Sequence, residues 1–201
     1  MGRNLQLPAL ETLIDLVHSL PGVGRRTAER IAYHIVEMDD SEIDRMIGII
    51  TDAKKTIHKC KICGNFTDKE ICGVCSDETR DKSIMCVVEK SKDVISFEMS
   101  GELHCSYHVL HALLRPSDFE DDSTMRIDQL IGRIRADNVK EVILATDFSV
   151  YGEATASYIS KRIKPLGVKV TRLGTGISVG TKIQVADTMT LAKSLQSRSE
   201  I

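Results

Sequence analysis

The sequence predicts a multi-part α+β protein with a helical N-terminal part, a small cysteine-rich finger, an α/β part built on a parallel sheet, and a C-terminal helical segment. Three observations predict it. Apolar residues recur at helical spacing through the first 57 residues. Two C-x-x-C pairs follow within residues 60–75. Beyond residue 80, short apolar runs of strand length alternate with helical patterns.

The amino-acid composition limits the kinds of partner that the protein can bind. The chain has 201 residues, and its hydrophobic fraction of 42% is ordinary for a folded protein. Aromatic residues make up only 4%, which argues against large stacking platforms for single strands. The net charge of −2 gives no sign of a nucleic-acid partner. Any such contact must therefore use a local basic patch or several copies of a weak one.

The chain has neither an apolar run long enough to span a bilayer nor a signal-peptide pattern, so we expect no membrane partner. Together with cysteines of the zinc-binding type, this indicates the reducing cytoplasm. Cys86 and Cys105 belong to no metal-binding pattern and are predicted to be small buried side chains.

Residues 5–57 are predicted to form three helices, with Ser41 as N-cap of the third and Asp44 three residues later. The three apolar stripes are Leu10, Leu13, Ile14 and Val17, then Ala28, Ile31, Ala32 and Ile35, then Ile43, Met46, Ile47 and Ile50. A region this small cannot hold a large core alone, so the stripe of Leu10, Leu13, Ile14 and Val17 favours self-association.

The break between the first two helices reads P-G-V-G-R-R-T-A-E-R at 21–30. Gly22 and Gly24 let the backbone approach a phosphate, and the first amides of the second helix point at that anion. Arg25, Arg26 and Arg30 add positive charge beside it. The pattern predicts a helix-hairpin-helix that contacts DNA phosphates without reading sequence. The alternative is a plain helical hairpin that serves protein packing.

Two C-x-x-C knuckles are separated by eight residues, and their cysteines are Cys60, Cys63, Cys72 and Cys75. This spacing can place four thiolates around one tetrahedral Zn²⁺. Because so short a segment cannot bury a core, the metal would supply its folding energy. A redox C-x-x-C would need an adjoining thioredoxin-like strand and helix, which the pattern lacks, and two disulfides would need an oxidising compartment.

Residues beyond 80 are predicted to alternate between strands and helices. Strands are expected at 83–89, 141–147 and 168–173, and helices at 91–100, around 127–134, at 153–164 and at 188–197. The apolar stretch at 104–114 fits either element. Residues 119–123 are rich in acids and are expected to form a solvated loop.

Glu89 and Asp147 each end a predicted buried strand. Ligands of parallel sheets bind beyond these ends, and two carboxylates there could hold Mg²⁺. The alternative is two solvated acids, which any α/β protein can carry. His108 stands in an apolar stretch and is predicted to be packed rather than to act as a ligand or base. The glycine-rich segment 172–180 lacks the Lys-Ser/Thr pair of a phosphate-binding loop, which favours a tight turn or a subunit-contact loop.

In this order, these segments resemble one bacterial family, the recombination mediator RecR. L-P-G-V-G-R-R-T-A-E-R-I-A at 20–32 resembles its helix-hairpin-helix, and C-x2-C-x8-C-x2-C at 60–75, followed by Arg80, its zinc finger. I-M-C-V-V-E-K-S-K-D-V at 84–94 resembles the opening of its Toprim domain. Further similar segments are Y-H-V-L at 107–110, L-A-T-D-F-S-V-Y-G-E-A-T-A at 144–156, V-T-R-L-G-T-G at 170–176 and A-D-x-x-T-L at 186–191.

The resemblance implies a helix-hairpin-helix domain at 1–57, a C4-type zinc finger at 58–80, a Toprim domain at 81–178 and a C-terminal helical oligomerisation segment at 179–201. It implies a DNA-repair protein that acts with RecO, and often RecF, to load recombinase onto single-stranded DNA coated by the single-strand-binding protein. It also implies ring-like homo-oligomers, commonly tetramers, that surround single- or double-stranded DNA. Weak basic patches lining one ring would then act together.

The chain departs from the family pattern in three places. Residues 111–123 lack its usual glycine-rich stretch, and Ser178 stands where a proline is usual. Asp147-Phe-Ser149 lacks the second acid of the D-x-D pair of catalytic Toprim enzymes. We therefore expect a protein that is not an enzyme, with Glu89 and Asp147 as a candidate Mg²⁺ or partner site. The alternatives are a Toprim-type metal-dependent nuclease or primase-like enzyme, and a zinc-bearing scaffold that binds only RecO.

Overall fold

The computed structural model describes residues 7–114 and 126–198. Its contacts divide the chain into two compact units, Met1–Ile57 and His58–Ile201. The loop expected at 119–123 and most of the atypical segment 111–123 lie outside the described residues. None of the described helices is both long and apolar enough to cross a membrane.

The N-terminal unit contains three helices, which are α1 (Pro8–His18), α2 (Arg25–Glu37) and α3 (Asp40–Thr56). The core between α1 and α2 is made by the buried residues Ile14, Val17, Ala28 and Ala32. The two alanines carry little volume, which lets α2 approach α1 closely. Gly22 has a φ of 81°, a left-handed conformation that glycine adopts without strain, and this makes the tight turn between the helices.

One detail of the predicted helices is wrong. Ser41 does not cap α3, because the helix already begins at Asp40, after an extended Asp39, and no side chain accepts its first amides. Ile31, a member of the apolar stripe of α2, is 36% exposed. It lies about 60° around the helix from Ala28, at the border of the apolar stripe.

The apolar stripe predicted on α3 is not covered within this unit. Ile47 and Ile50 are 55% and 62% exposed, and α3 contributes no buried residue. An apolar face of this kind remains available to another protein surface.

The second unit begins with the finger, which consists of β1 (His58–Lys59), β2 (Phe66–Thr67) and the short helix α4 (Gly73–Ser76). β1 and β2 pair antiparallel and turn the first knuckle between them. Gly64 closes that knuckle with a φ of 81°.

A four-stranded parallel sheet follows, with the order β4–β3–β5–β6. Its strands are β3 (Asp81–Val88), β4 (Cys105–Val109), β5 (Glu141–Ala145) and β6 (Lys169–Arg172). The helices of this part are α5 (Ser91–Ser100), α6 (Ile127–Ala136), α7 (Val150–Ile163) and α8 (Thr188–Gln196). The predicted fold class is confirmed, and the ambiguous stretch at 104–114 contains a strand.

Both faces of the sheet are buried. Successive side chains of a strand point to opposite faces. Met85 and Val87 accordingly join one apolar cluster, whereas Cys86 and Val88 join the other together with Cys105. Cys86 and Cys105 are therefore the buried small side chains that the sequence predicted.

Several element bounds differ from the prediction by one to three residues. α7 begins at Val150 rather than at 153, because the Ser149 hydroxyl accepts the amide of Gly152 at 3.1 Å and caps the helix. β3 and β5 end at Val88 and Ala145, shortly before the acids predicted as their last residues.

Candidate metal centre and nucleic-acid interface

The four cysteines of the two knuckles meet at one point. Cys60 and Cys63 lie in the turn after β1, and Cys72 and Cys75 lie just before and within α4. Their Sγ atoms are all within 4.8 Å of one another. Tetrahedral sulfurs around Zn²⁺, with bonds of about 2.3 Å, would be about 3.8 Å apart. The cluster therefore fits a closed four-thiolate metal site.

Local backbone groups orient these sulfurs. The amide of Asn65 donates to Cys63 Sγ and the amide of Cys72 donates to Cys60 Sγ, each at 3.4 Å. Hydrogen bonding with Cys63 and Cys72, followed by burial, raises the pKa of the Cys75 thiol above its ordinary value. Without a cation Cys75 stays a thiol, and a bound metal is what deprotonates a ligating thiol in such a place.

Three hydrogen bonds attach the finger to the α/β part, and we call them the docking hydrogen bonds. They run from the Val109 amide to Cys63 O at 2.8 Å, from the Phe66 amide to Ser91 Oγ at 3.0 Å, and from His111 Nε2 to Gly64 O at 2.7 Å. Burial lowers the pKa of His111, which keeps its imidazole neutral with a proton on Nε2 for this bond. The metal site is thereby connected directly to the end of β4.

Arg80, which follows the finger, adds a second connection. Its Nη1 donates to a Glu98 carboxylate oxygen at 2.9 Å, its Nη2 donates to the other oxygen, and its Nε lies 3.3 Å from Asp77. The Tyr107 hydroxyl also donates to Glu98, at 2.8 Å. The hydrogen bond from Arg80 lowers the pKa of Glu98. This network ties the finger to α5 and β4.

Glu89 and Asp147 follow the carboxyl ends of the adjacent strands β3 and β5, where Val88 lies opposite Ala145. The strand order reverses direction at this pair, and ligands of open parallel sheets bind at such points. Asp147 is exposed, but Glu89 is only 8% exposed and forms an ion pair with Lys90 Nζ at 2.7 Å. The bond to Glu89 raises the pKa of Lys90, and the charge of Asp147 adds to this effect.

Arg25 forms ion pairs with acidic residues of the N-terminal unit. Its guanidinium lies 2.6 Å from Glu11 and 2.5 Å from Asp15, both on α1, and its Nε is 3.6 Å from Glu29. Hydrogen bonding to Asp15 raises the pKa of Arg25. The arginine therefore holds α2 against α1.

Arg26 and Arg30 occupy a different position. They line a groove of about 510 Å³ on the outer side of α2, together with Tyr33, His34 and the acids Glu29 and Glu37. Within residues 7–114 and 126–198, neither arginine has an ion-pair partner. Two arginines one turn apart repel each other unless an anion lies between them. This face can therefore receive phosphate oxygens.

Comparison with known proteins agrees with this geometry. Family models match the RecR helix-hairpin-helix over residues 10–54, the four-cysteine zinc finger domain of RecR over residues 57–77, and a Toprim domain over residues 83–174. A recombination protein RecR from Acidothermus cellulolyticus is 43% identical over 192 residues, which cover 96% of this chain and 96% of that protein. The chain belongs to the RecR family. The resemblance seen in the sequence is thus confirmed.

The three matched segments each contain one of the sites described above. The zinc-finger match includes all four clustered cysteines, and the helix-hairpin-helix match includes Arg26 and Arg30. The Toprim match includes Glu89 and Asp147. His108 takes no part in these sites. It is fully buried with its Nε2 3.2 Å from Arg126 O, and burial lowers its pKa to about 3, as expected for a packed histidine.

Two residues of these sites were missed by sequence reasoning. Lys90 pairs with Glu89, and its position beside that acid in the sequence was a usable signal. His111 forms a hydrogen bond with Gly64, which lies 47 positions earlier in the chain, and no local sequence pattern predicts such a contact.

Proposed function

We propose that this RecR-family chain is a non-catalytic DNA-binding recombination mediator that contacts DNA phosphates through α2. The single observation that carries the proposal is the unpaired Arg26–Arg30 face beside the glycine hairpin. Gly24 is the N-cap of α2 and brings no side chain to its first amides, which leaves those donors for an anion. Arg25 is instead paired with Glu11, Asp15 and Glu29.

The finer role is proposed from the resemblance to the family. We propose that the protein acts in the cytoplasm with RecO and RecF to load recombinase on single-stranded DNA, and that it works as a homo-oligomer of tetramer size. Two features support assembly. The net charge of −2 makes one weak basic face insufficient, and several copies in one particle would add their contacts. The uncovered apolar stripe of α3 offers a surface for such copies.

We also propose that the four cysteines bind one structural zinc and that the Glu89–Asp147 pair is not a catalytic centre. A closed four-thiolate site leaves no position for a substrate, so its contribution is to folding. At the acid pair, Ser149 stands where a second acid would be needed. Mg²⁺ there would have to displace Lys90 from Glu89.

Salt-dependent DNA binding tests the proposal. In Arg26→Ala/Arg30→Ala, binding to single- and double-stranded DNA should weaken for every sequence. The slope of log affinity against log salt should flatten by about 0.7 per lost contact on single strands and about 0.9 on duplex. Fluorescence anisotropy over a salt series measures both quantities.

The matched control is Lys54→Ala/Lys55→Ala, which removes two exposed charges from the end of α3. It should leave the slope unchanged. If the double arginine variant is folded, keeps its metal and binds DNA like the parent at every salt concentration, the DNA site lies elsewhere and the proposal fails.

A further inference from the structure

A small cavity lies between the finger and the sheet, beside the metal centre. It measures about 100 Å³, well above what one water molecule requires. Its wall includes the metal ligand Cys75, the apolar side chains of Ile62 and Val74, the cations Arg80, Lys82 and Arg133, and the acids Asp77 and Asp137. A zinc ligand is thus reachable by a small molecule.

Cys75 differs from the other three ligands. Cys60, Cys63 and Cys72 are only 1%, 0% and 3% exposed, whereas Cys75 is half-buried. Backbone amides donate to Cys60 Sγ and Cys63 Sγ, but none donates to Cys75 Sγ within the part of the chain that the structure describes. Hydrogen bonds to a metal-bound sulfur withdraw electron density from it. Cys75 is therefore the most exposed residue of the cluster, and its sulfur keeps more electron density than those of Cys60 and Cys63.

Most charges of the cavity wall are paired. Arg80 Nε lies 3.3 Å from a carboxylate oxygen of Asp77, and Arg133 Nε lies 3.9 Å from one of Asp137, so both guanidinium groups face an acid. The ammonium of Lys82 is exposed and has no described partner. It would stabilise an oxygen that gains negative charge inside the cavity.

We propose that Cys75 is an oxidation site for hydrogen peroxide, with loss of the bound zinc as its result. The proposal rests on the structural zinc proposed above. The Cys75 thiolate attacks one peroxide oxygen, so an S–O bond forms, the O–O bond breaks and hydroxide leaves towards the ammonium of Lys82. Cys75 is then a sulfenic acid, oxidised by two electrons, and the hydroxide takes a proton from solvent to become water.

The second step uses the neighbouring ligand Cys72. Its thiolate attacks the Cys75 sulfur, an S–S bond forms, and the sulfenic oxygen leaves as hydroxide and is protonated to a second water. Two thiolates, one peroxide and two protons thus give one disulfide and two waters. The zinc keeps two thiolate ligands only, and it dissociates. All four sulfurs lie within 4.8 Å of one another, so a small shift brings this pair together.

The experiment uses the zinc-loaded full chain. Hydrogen peroxide is added at neutral pH, zinc release is followed with a chromogenic chelator, and samples are treated with dimedone, alkylated, digested and measured by mass spectrometry. We expect the dimedone adduct first at Cys75, then a Cys72–Cys75 disulfide that forms at the rate of zinc release. A thiol reductant with added zinc should restore the metal content.

A substitution in the cavity wall tests the proposal in a protein that still folds and binds zinc. Lys82→Met should slow the oxidation several-fold at unchanged zinc content, whereas Lys69→Met, which removes an exposed lysine from the loop between the knuckles, should not. Modification of Cys60 or Cys63 before Cys75, or equal rates for all four, would overturn the proposal. A preparation that is folded but holds no zinc would instead refute the structural zinc itself.

Discussion

Removal of zinc should destabilise the α/β part as well as the finger. The docking hydrogen bonds join the first knuckle and β2 to β4, α5 and His111, and all three disappear when the finger unfolds. At about 1 kcal/mol each, their loss costs about 3 kcal/mol. A destabilisation of 1 kcal/mol lowers the melting temperature by about 2–4 °C in a chain of this size. Chelation should therefore lower the melting temperature of the α/β part by about 6–12 °C.

Thermal unfolding followed by circular dichroism, with and without a high-affinity zinc chelator, measures this shift. Hydrogen exchange should localise it to β4 and the start of α5. The zinc-loaded variant Ser91→Ala is the matched comparison. It loses one acceptor and should show about a third of the effect. If the metal-free chain melts within one degree of the zinc-loaded chain, the finger is not energetically coupled to the sheet and the reasoning is wrong.

Two further predictions concern the α/β part. Glu98→Gln should lower the stability by about 1.5–3 kcal/mol at pH 7, since it removes the charge from the Arg80 and Tyr107 hydrogen bonds. The pKa of Glu98 is lowered in the folded state, so the stability that its charge contributes is present above about pH 4.5 and is lost as the pH falls below that value. The urea unfolding midpoints of parent and variant should therefore converge at low pH. Gly152→Ala should destabilise by about 1–3 kcal/mol in urea unfolding, because a Cβ would lie 1.9 Å from Asp147 O. Gly132→Ala, where the Cβ meets open space, should be neutral or stabilising, and equal losses in both variants would contradict the steric argument.

The sequence was sufficient for the features that depend on local patterns. The cysteine spacing predicted the cluster, and short apolar runs that end at Glu89 and Asp147 predicted β3 and β5. Features that depend on contacts between residues far apart in the sequence could not be predicted. Arg25 reads as one more basic residue of the hairpin, and only the packing of α1 on α2 brings Asp15 and Glu11 to it, 10 and 14 positions away. The stretch at 104–114 stayed ambiguous because a strand buried on both faces has no alternation of polar and apolar residues.

The position of the finger has a consequence for association. β4 is an outer strand of the sheet, and such strands offer free amides and carbonyls to the strands of other molecules. Here the amide of Val109 donates to the Cys63 carbonyl, so the first knuckle covers the end of β4. A molecule that has lost its metal would expose this strand together with its apolar neighbours. Zinc retention would then protect the protein from β-sheet aggregation during purification or oxidative stress.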